Sequence, residues 1–179
     1  MSPFESTSDY GHGLPESLGV LLVNTGTPDA PTPVAVRCYL TQFLSDPRVV
    51  EFPRWIWWLV LQAYILRVRP KQSAIKYKSI WTDRGSPLLL HSMDIANAVR
   101  KKLSSHLSDN TYVELAMSYS NPLIENALEN MYRQRVRRLL VLPLYPQYSG
   151  TTTGSVFDTV TAALSRRRWV PELHFVNHY

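Results

Sequence analysis

The chain has 179 residues, a formal net charge of +5 and one cysteine. Apolar residues make up 45% and charged residues 18% of the sequence, which indicates a globular chain with a sizeable core and excludes an intrinsically disordered one. The single cysteine excludes an internal disulfide framework and favours a reducing compartment, so we expect a cytoplasmic protein. The positive charge lies largely at 133–138 and 166–168, which we interpret as solvated helix ends, so no nucleic-acid partner is predicted.

Strands and helices alternate along the chain. Residues 1–17 carry no targeting pattern and are predicted to form a disordered tail, followed by one domain over 18–179. The predicted strands cover 18–24, 112–117, 138–144 and 173–177. The predicted helices cover 34–44, 70–81, 87–107, 121–133 and 152–166. This alternation predicts an α/β fold, a parallel sheet with helices on both faces. Cys38 falls within the first helix and is expected to be a small core or semi-buried residue.

An aromatic segment flanked by arginines covers 54–69 and reads RWIWWLVLQAYILRVR. Its uncharged run is too short for a membrane span, which needs about 20 residues. Two interpretations remain open. The segment is either a buried helix or an exposed membrane lip, with tryptophans at headgroup level and arginines on anionic lipid. The residues of this candidate lip are Trp55, Trp57, Trp58, Arg67 and Arg69.

The segment 142–158 reads LPLYPQYSGTTTGSVFD and places hydroxyl groups where a buried strand ends and a helix begins. Open parallel sheets bind their ligands at this edge. The loop offers Tyr145, Ser149 and three threonines but almost no charge, which suits a large, flat, mostly apolar ligand better than a nucleotide. Asn24 and Thr25 end the first strand at the same edge, although they could simply form a turn with Gly26.

Four segments in order resemble the ferrochelatase family, the enzymes that insert ferrous iron into protoporphyrin. They are 19–48, 80–91, 115–122 and 142–158. The resemblance implies a chelatase-like α/β fold with flavodoxin-like topology, and it implies that this chain is the first of two similar halves.

The resemblance also implies which residues contact a porphyrin. They are Asn24, Thr25, Tyr77, Ser86, Tyr119, Tyr145 and Ser149. Tyr77 could instead be a half-buried helix residue, and Ser86 a plain helix cap. Thr25 departs from the apolar or aromatic residue that relatives carry there, and Ser118 departs from a frequent arginine. The threonines at 151–153 are expected to divide between capping the following helix and lining the loop.

The family's catalytic histidine and glutamate lie in the second half, so the resemblance assigns no catalytic residue and no metal ligand to this chain. Fe²⁺ is expected as a substrate, with no permanently bound cofactor. No iron–sulfur cluster is predicted, because Gly150 stands where some relatives carry a cluster cysteine. We expect impaired activity from the 179 residues alone. The expected partners are a porphyrin, a membrane surface at the lip, and either a complementary C-terminal half or a second copy of the chain.

Other function classes remain open. The chain could be a non-catalytic porphyrin- or haem-binding module, or an inactive remnant. A flavodoxin-like nucleotide-binding protein is suggested only by the first strand and its TGTP loop at 25–28, which lacks a glycine-rich phosphate cradle. The choice between protoporphyrin and a more carboxylated porphyrin also stays open, although the apolar lip favours protoporphyrin.

Overall fold

A computed structural model describes residue 4 and residues 16–107 and 110–179; the tail predicted for 1–17 lies almost entirely outside the described residues. A parallel sheet of four strands runs through the described part of the chain, in the order β2-β1-β3-β4. The strands are β1 (Ser17–Gly26), β2 (Thr111–Tyr119), β3 (Val136–Pro143) and β4 (Glu172–Phe175). This order confirms the predicted α/β fold with chelatase-like, flavodoxin-like topology.

Helices cover both faces of the sheet. They are α1 (Pro33–Ser45), α2 (Arg54–Val60), α3 (Leu66–Ile80), α4 (Pro87–Ser104), α5 (Ile124–Arg133) and α6 (Ser155–Ser165). Successive residues of a strand point to opposite faces. Leu21 and Val23 of β1 therefore join a core cluster with α5 and α6. Val20 and Leu22 join a second cluster with α4. Both faces of β1 are buried, as the apolar sequence of this strand predicts.

The segment around Pro70 differs from its prediction. Proline favours the first turn of a helix, which pointed to a start at this residue. Instead α2, a π-helical turn (Leu61–Ile65) and α3 follow one another without a break, so Pro70 lies inside a helix. Leu61 and Leu66 are 1% and 2% exposed and form a core cluster with Leu44 of α1. These tertiary contacts stabilise helical backbone ahead of the proline.

Two further local predictions are corrected by the structure. Cys38 is exposed, because α1 turns Val36 and Tyr39 inward and Cys38 lies on the outward side. Helix α5 begins at Ile124, after a cis peptide bond between Asn121 and Pro122, and not at that dipeptide.

The strand register brings the carboxyl ends of β1, β2 and β3 to one edge. Val23 of β1 pairs with Ala116 of β2 on one side and with Pro143 of β3 on the other. Gly26 pairs with Tyr119 at the end of the β1–β2 ladder and has a φ of 106°. A Cβ atom at Gly26 would lie 1.8 Å from the Tyr119 carbonyl oxygen, so only glycine fits there. The candidate site is built on this edge.

Candidate functional site

Hydroxyl groups from the ends of three strands meet at the carboxyl edge. Thr25 Oγ1 and the Tyr145 hydroxyl lie 2.8 Å apart and are hydrogen-bonded. The Ser118 side chain, at the end of β2, is also hydrogen-bonded to Tyr145. Tyr145 follows β3, so this hydroxyl bridge (Thr25, Ser118 and Tyr145) links β1, β2 and β3. Two of its three members, Thr25 and Tyr145, are sequence-predicted site residues.

An aromatic wall lies beside the hydroxyl bridge. It consists of Tyr39, Phe43, Tyr77, Trp81 and Tyr119. The ring centroids of Phe43 and Tyr119 are 5.2 Å apart and the rings meet edge to face. Tyr39 contacts the rings of Tyr77 at 6.4 Å and Tyr119 at 6.5 Å. These distances and near-perpendicular angles are typical of attractive aromatic pairs. Helices α1 and α3 thus add their aromatic side chains to the end of β2.

Burial keeps the tyrosine hydroxyls of the site protonated. It raises the pKa of Tyr39 well above its ordinary value, and the nearby hydroxyls of Tyr77, Tyr119 and Tyr145 raise it further. Burial is also the main reason that the pKa values of Tyr77 and Tyr145 are raised. A buried phenolate is costly because it loses its hydration. These side chains therefore present neutral hydroxyls and apolar ring surface.

The structure brings Thr25, Tyr77, Tyr119 and Tyr145 into one set around Tyr39. Asn24 adjoins this set. Its side-chain oxygen accepts a hydrogen bond from the Thr25 N–H at 2.8 Å, and its Nδ2 donates to Ser92 Oγ on α4 at 3.1 Å. Asn24, Thr25 and Gly26 all lie in β1, so they do not form the turn that was the alternative interpretation. The Asn24 amide thereby fixes the Thr25 backbone against α4.

Ser86 and Ser149 make local contacts. Ser86 is buried at the N-terminus of α4. Its side chain forms no capping hydrogen bond, so the alternative interpretation of Ser86 as a plain helix cap is wrong. The Ser149 hydroxyl lies 3.0 Å from that of Thr151 within the same loop. No threonine at 151–153 caps α6, because a π-helical turn (Gly150–Gly154) continues directly into this helix. Thr153 Oγ1 is buried and has no partner among the described residues.

The Tyr119 side chain is nearly buried and its hydroxyl is fully engaged. The side chain is 6% exposed, and its hydroxyl donates to Asp46 Oδ2 at 2.7 Å and lies 3.0 Å from Ser155 Oγ. Burial raises the pKa of Tyr119, and the Asp46 carboxylate adds to this increase. Tyr119 is therefore a buried member of the aromatic wall, held by hydrogen bonds at its hydroxyl and by ring contacts with Tyr39 and Phe43.

Sequence reasoning missed Tyr39, Phe43, Trp81 and Asp46. A signal for two of them was present, since Tyr39 and Phe43 lie four residues apart on the helix that follows the first strand. Residues at this spacing share one helix face, so the two rings had to point the same way. Asp46 carried no such signal, because its partners are 73 and 109 residues away along the chain.

The aromatic segment is an exposed helix with one anchored tryptophan. Trp55 and Trp58 are 71% and 59% exposed, and no residue of α2, all of which is described, is buried. This excludes the buried-helix interpretation for α2. Trp57 differs from its neighbours, because its indole N–H donates to the Leu44 carbonyl at 2.7 Å. Arg67 and Arg69 are exposed on α3. Within the described residues, no helix combines the length and apolar character that crossing a membrane requires.

The described residues do not form a metal centre of the usual kind. No group of three or more histidine, cysteine, aspartate or glutamate side chains in the described ranges could hold a metal ion. The site is instead neutral, aromatic and rich in hydroxyls, which suits an extended apolar ring system with polar groups at its edge.

Comparison with known proteins identifies the family. The family model for ferrochelatase matches residues 17–179. The chain is 52% identical over 176 residues to the ferrochelatase of Idiomarina loihiensis and 56% identical over 176 residues to that of Thioalkalivibrio sulfidiphilus. These alignments cover 98% of this chain and 48% of each relative. Ferrochelatase 2 of Shewanella oneidensis is 51% identical over 172 residues, covering 94% of this chain and 51% of the relative. The chain thus spans about half the length of these curated relatives. Since the match runs from β1 to Tyr179 at about half identity, the chain belongs to the ferrochelatase family.

Proposed function

We propose that this chain supplies a porphyrin-binding wall for ferrochelatase activity, the insertion of Fe²⁺ into protoporphyrin IX that forms protohaem in the last step of haem biosynthesis. One observation carries the proposal. A chain about half identical to proteins named ferrochelatase gathers neutral hydroxyls and aromatic rings at the carboxyl edge of its sheet. Ligands of open parallel sheets bind at this edge.

The chemistry of the wall matches a porphyrin. A porphyrin is a flat apolar ring system with polar groups at its periphery, and aromatic side chains bind such rings through offset or edge-to-face contacts. Tyr77 and Trp81 supply partly exposed ring surface, and Thr25 and Tyr145 supply hydroxyls. The proposed contact residues are Asn24, Thr25, Tyr77, Ser86, Tyr119, Tyr145 and Ser149. Among them, Tyr119 is a buried member of the wall.

The proposed role of the wall is to bind and orient the substrate. Insertion of Fe²⁺ requires that two pyrrole N–H groups give up their protons, so the reaction needs a base. The tyrosines of the site have raised pKa values and stay protonated at neutral pH, so they are hydrogen-bonding groups and not bases. Proton removal is therefore assigned to the family's histidine and glutamate, which the resemblance places in the other half of the enzyme. On this proposal the chain alone binds porphyrin and inserts iron poorly or not at all.

A membrane surface is the second proposed partner. Trp55 and Trp58 are exposed on α2, and Arg67 and Arg69 are exposed on α3, a combination that favours binding at the headgroup level of anionic lipid. Protoporphyrin is poorly soluble in water, so peripheral binding would place the site next to a lipid-borne substrate. A flotation assay with anionic vesicles tests this. All protein remaining at the bottom of the gradient would contradict membrane binding.

The decisive experiment is a titration of the purified chain with protoporphyrin, followed by anaerobic addition of Fe²⁺ or Zn²⁺. Absorbance and fluorescence report binding and metal insertion separately. Tyr145→Phe should weaken binding about threefold to tenfold, as expected for loss of one hydrogen bond. Tyr148→Phe is the matched control, since the Tyr148 side chain is 58% exposed. Binding that is equally strong in both variants would contradict the proposed site.

The same titration separates the alternatives. Binding without insertion supports a ligand-holding half, and insertion should then appear when the remaining part of a relative is added. Binding that still gives no insertion after this addition favours a non-catalytic porphyrin- or haem-binding module. Turnover by the chain alone would overturn the proposed division of roles. The absence of any binding would indicate an inactive remnant.

A further inference from the structure

One carboxylate at the carboxyl end of α1 accepts three hydrogen bonds, one from the turn that follows α1, one from β2 and one from α6. Asp46 follows the last residue of α1. Its Oδ1 accepts the backbone N–H of Arg48 at 2.7 Å. Its Oδ2 accepts the hydroxyl of Tyr119, at the end of β2, at 2.7 Å and also the hydroxyl of Ser155, at the start of α6. The local bond to the Arg48 N–H uses only Oδ1. The two hydrogen bonds to Oδ2 come from residues far along the chain and therefore have a role other than forming this turn.

The hydrogen bond from Tyr119 connects Asp46 to the aromatic wall, because Tyr119 is one of its members. Tyr119 contacts the ring of Phe43 at 5.2 Å and that of Tyr39 at 6.5 Å, and Tyr39 contacts Tyr77 in turn. Hydrogen bonds to an ionised carboxylate are stronger and shorter than those between neutral groups. Because the Tyr119 side chain is only 6% exposed, loss of this bond would leave its buried hydroxyl with a poorer partner and release the ring.

We infer that Asp46 is a positioning residue for the porphyrin site: its carboxylate fixes the Tyr119 ring and thereby sets the position of the aromatic wall. Asp46 does so without touching the ligand. The inference rests on the proposed function for its ligand, but the contact between Asp46 and Tyr119 can be tested in the free protein. Asp158 offers a matched control, since its carboxylate is paired with Arg48.

The first test uses the protein without ligand. Fluorine NMR of chain labelled with 3-fluorotyrosine gives one resonance per tyrosine, and the Tyr119 resonance is assigned from its absence in Tyr119→Phe. We expect Asp46→Asn to shift this resonance and to lower the pH at which it titrates, because the carboxylate that opposes a phenolate is gone. Asp158→Asn should leave the resonance unchanged. A Tyr119 resonance that is the same in Asp46→Asn and in the unsubstituted chain would overturn the inference.

The second test measures porphyrin. Asp46→Asn should weaken protoporphyrin binding about tenfold and shift the absorption band of the bound porphyrin. The double variant Asp46→Asn/Tyr119→Phe should bind no more weakly than Tyr119→Phe alone, because both changes break the same contact. Asp158→Asn should bind as the unsubstituted chain does. Lower stability of Asp46→Asn with unchanged affinity and absorption band would show that Asp46 is a helix-terminal residue only, and would overturn the inference.

The two tests also separate the inference from the proposed function. If the unsubstituted chain binds no porphyrin, the proposed function fails, while the Tyr119 resonance still decides whether Asp46 positions the ring. If Asp46→Asn does not fold, Tyr119→Phe breaks the same hydrogen bond with the carboxylate in place. The Tyr39 resonance then reports the wall. It should shift in Tyr119→Phe, and an unchanged Tyr39 resonance would overturn the inference.

Discussion

Replacing Gly26 by alanine should disrupt the junction between β1 and β2, directly beside the candidate site. Two effects combine there. The φ of 106° is a conformation that an alanine adopts only with strain. In addition, the new Cβ would lie 1.8 Å from the carbonyl oxygen of Tyr119, which is backbone and cannot rotate away. The last paired residues of the two strands would therefore have to move apart.

Gly85 allows these two effects to be separated. Its φ is 121°, so an alanine there has comparable backbone strain, but no described atom lies within 4 Å of the added Cβ. Strain alone costs about 1 to 3 kcal/mol. For Gly26→Ala the loss of a ladder hydrogen bond and the displacement of buried Tyr119 add about 2 kcal/mol or more. We therefore expect a total of about 4 kcal/mol, a large part of a typical folding free energy of roughly 5 to 15 kcal/mol.

The assay is urea denaturation followed by tryptophan fluorescence, with the free energy of unfolding compared among three variants. Gly150→Ala is the third, since Gly150 has open space around it and no positive φ, and it should change stability by less than about 0.5 kcal/mol. The expected order of destabilisation is Gly26→Ala, then Gly85→Ala, then Gly150→Ala. A Gly26→Ala variant no less stable than Gly85→Ala would refute the close approach between Gly26 and Tyr119.

Three further predictions concern the site and the lip. Thr25→Val and Tyr145→Phe in a double-mutant cycle should show a coupling of about 1 kcal/mol in unfolding free energy, whereas additive effects would argue against their hydrogen bond. Trp57→Ala should lower the free energy of unfolding by about 2 kcal/mol, because the side chain loses its packing and its hydrogen bond to Leu44. Trp58→Ala should change this free energy by less than about 0.5 kcal/mol and reduce vesicle flotation. Equal stabilities of the two variants would contradict the anchoring of Trp57. Stability should also fall as pH rises above about 10, because the unfolded chain then releases tyrosine protons that the folded site retains at its raised pKa values. Urea titrations at several pH values across this range should show the free energy of unfolding falling less steeply with pH in Tyr145→Phe than in the unsubstituted chain. The same dependence on pH in both would contradict the raised pKa of Tyr145.

The fold followed from patterns that are local in sequence. Apolar runs separated by helical segments predicted each strand, and the alternation of the two predicted a parallel sheet with both faces covered. The predictions that were wrong also relied on local residue preferences. Pro70 suggested a helix start, but the contacts of Leu61 and Leu66 with Leu44 extend the helix past it. Cys38 suggested a core residue, but α1 turns it outward.

The site followed from the sequence only in part, because its contacts depend on register. Thr25 and Tyr145 are 120 residues apart, and their hydrogen bond exists because β1 and β3 end at the same level. The sequence placed each residue at a strand end but could not give this level. No local pattern pointed to Asp46 as a site residue, for the same reason. Its role appears only when β2 and α6 bring Tyr119 and Ser155 to the end of α1.

The rigidity of the wall decides what it can contribute to the proposed reaction. A surface that binds a flat porphyrin and its distorted form equally well gives affinity without accelerating metal insertion. A wall that holds its shape favours whichever ring geometry fits it, and flexible side chains would adapt to both. Gly26 of β1 packs closely against the Tyr119 backbone at the end of β2. The hydrogen bond between Thr25 and Tyr145 connects β1 to the loop after β3, and Asp46 fixes the Tyr119 hydroxyl. These contacts lie beside and behind the exposed ring surface, where they stiffen it. In the proposed function, this half therefore contributes to catalysis through the shape it imposes on the substrate, while proton transfer is carried out by other groups.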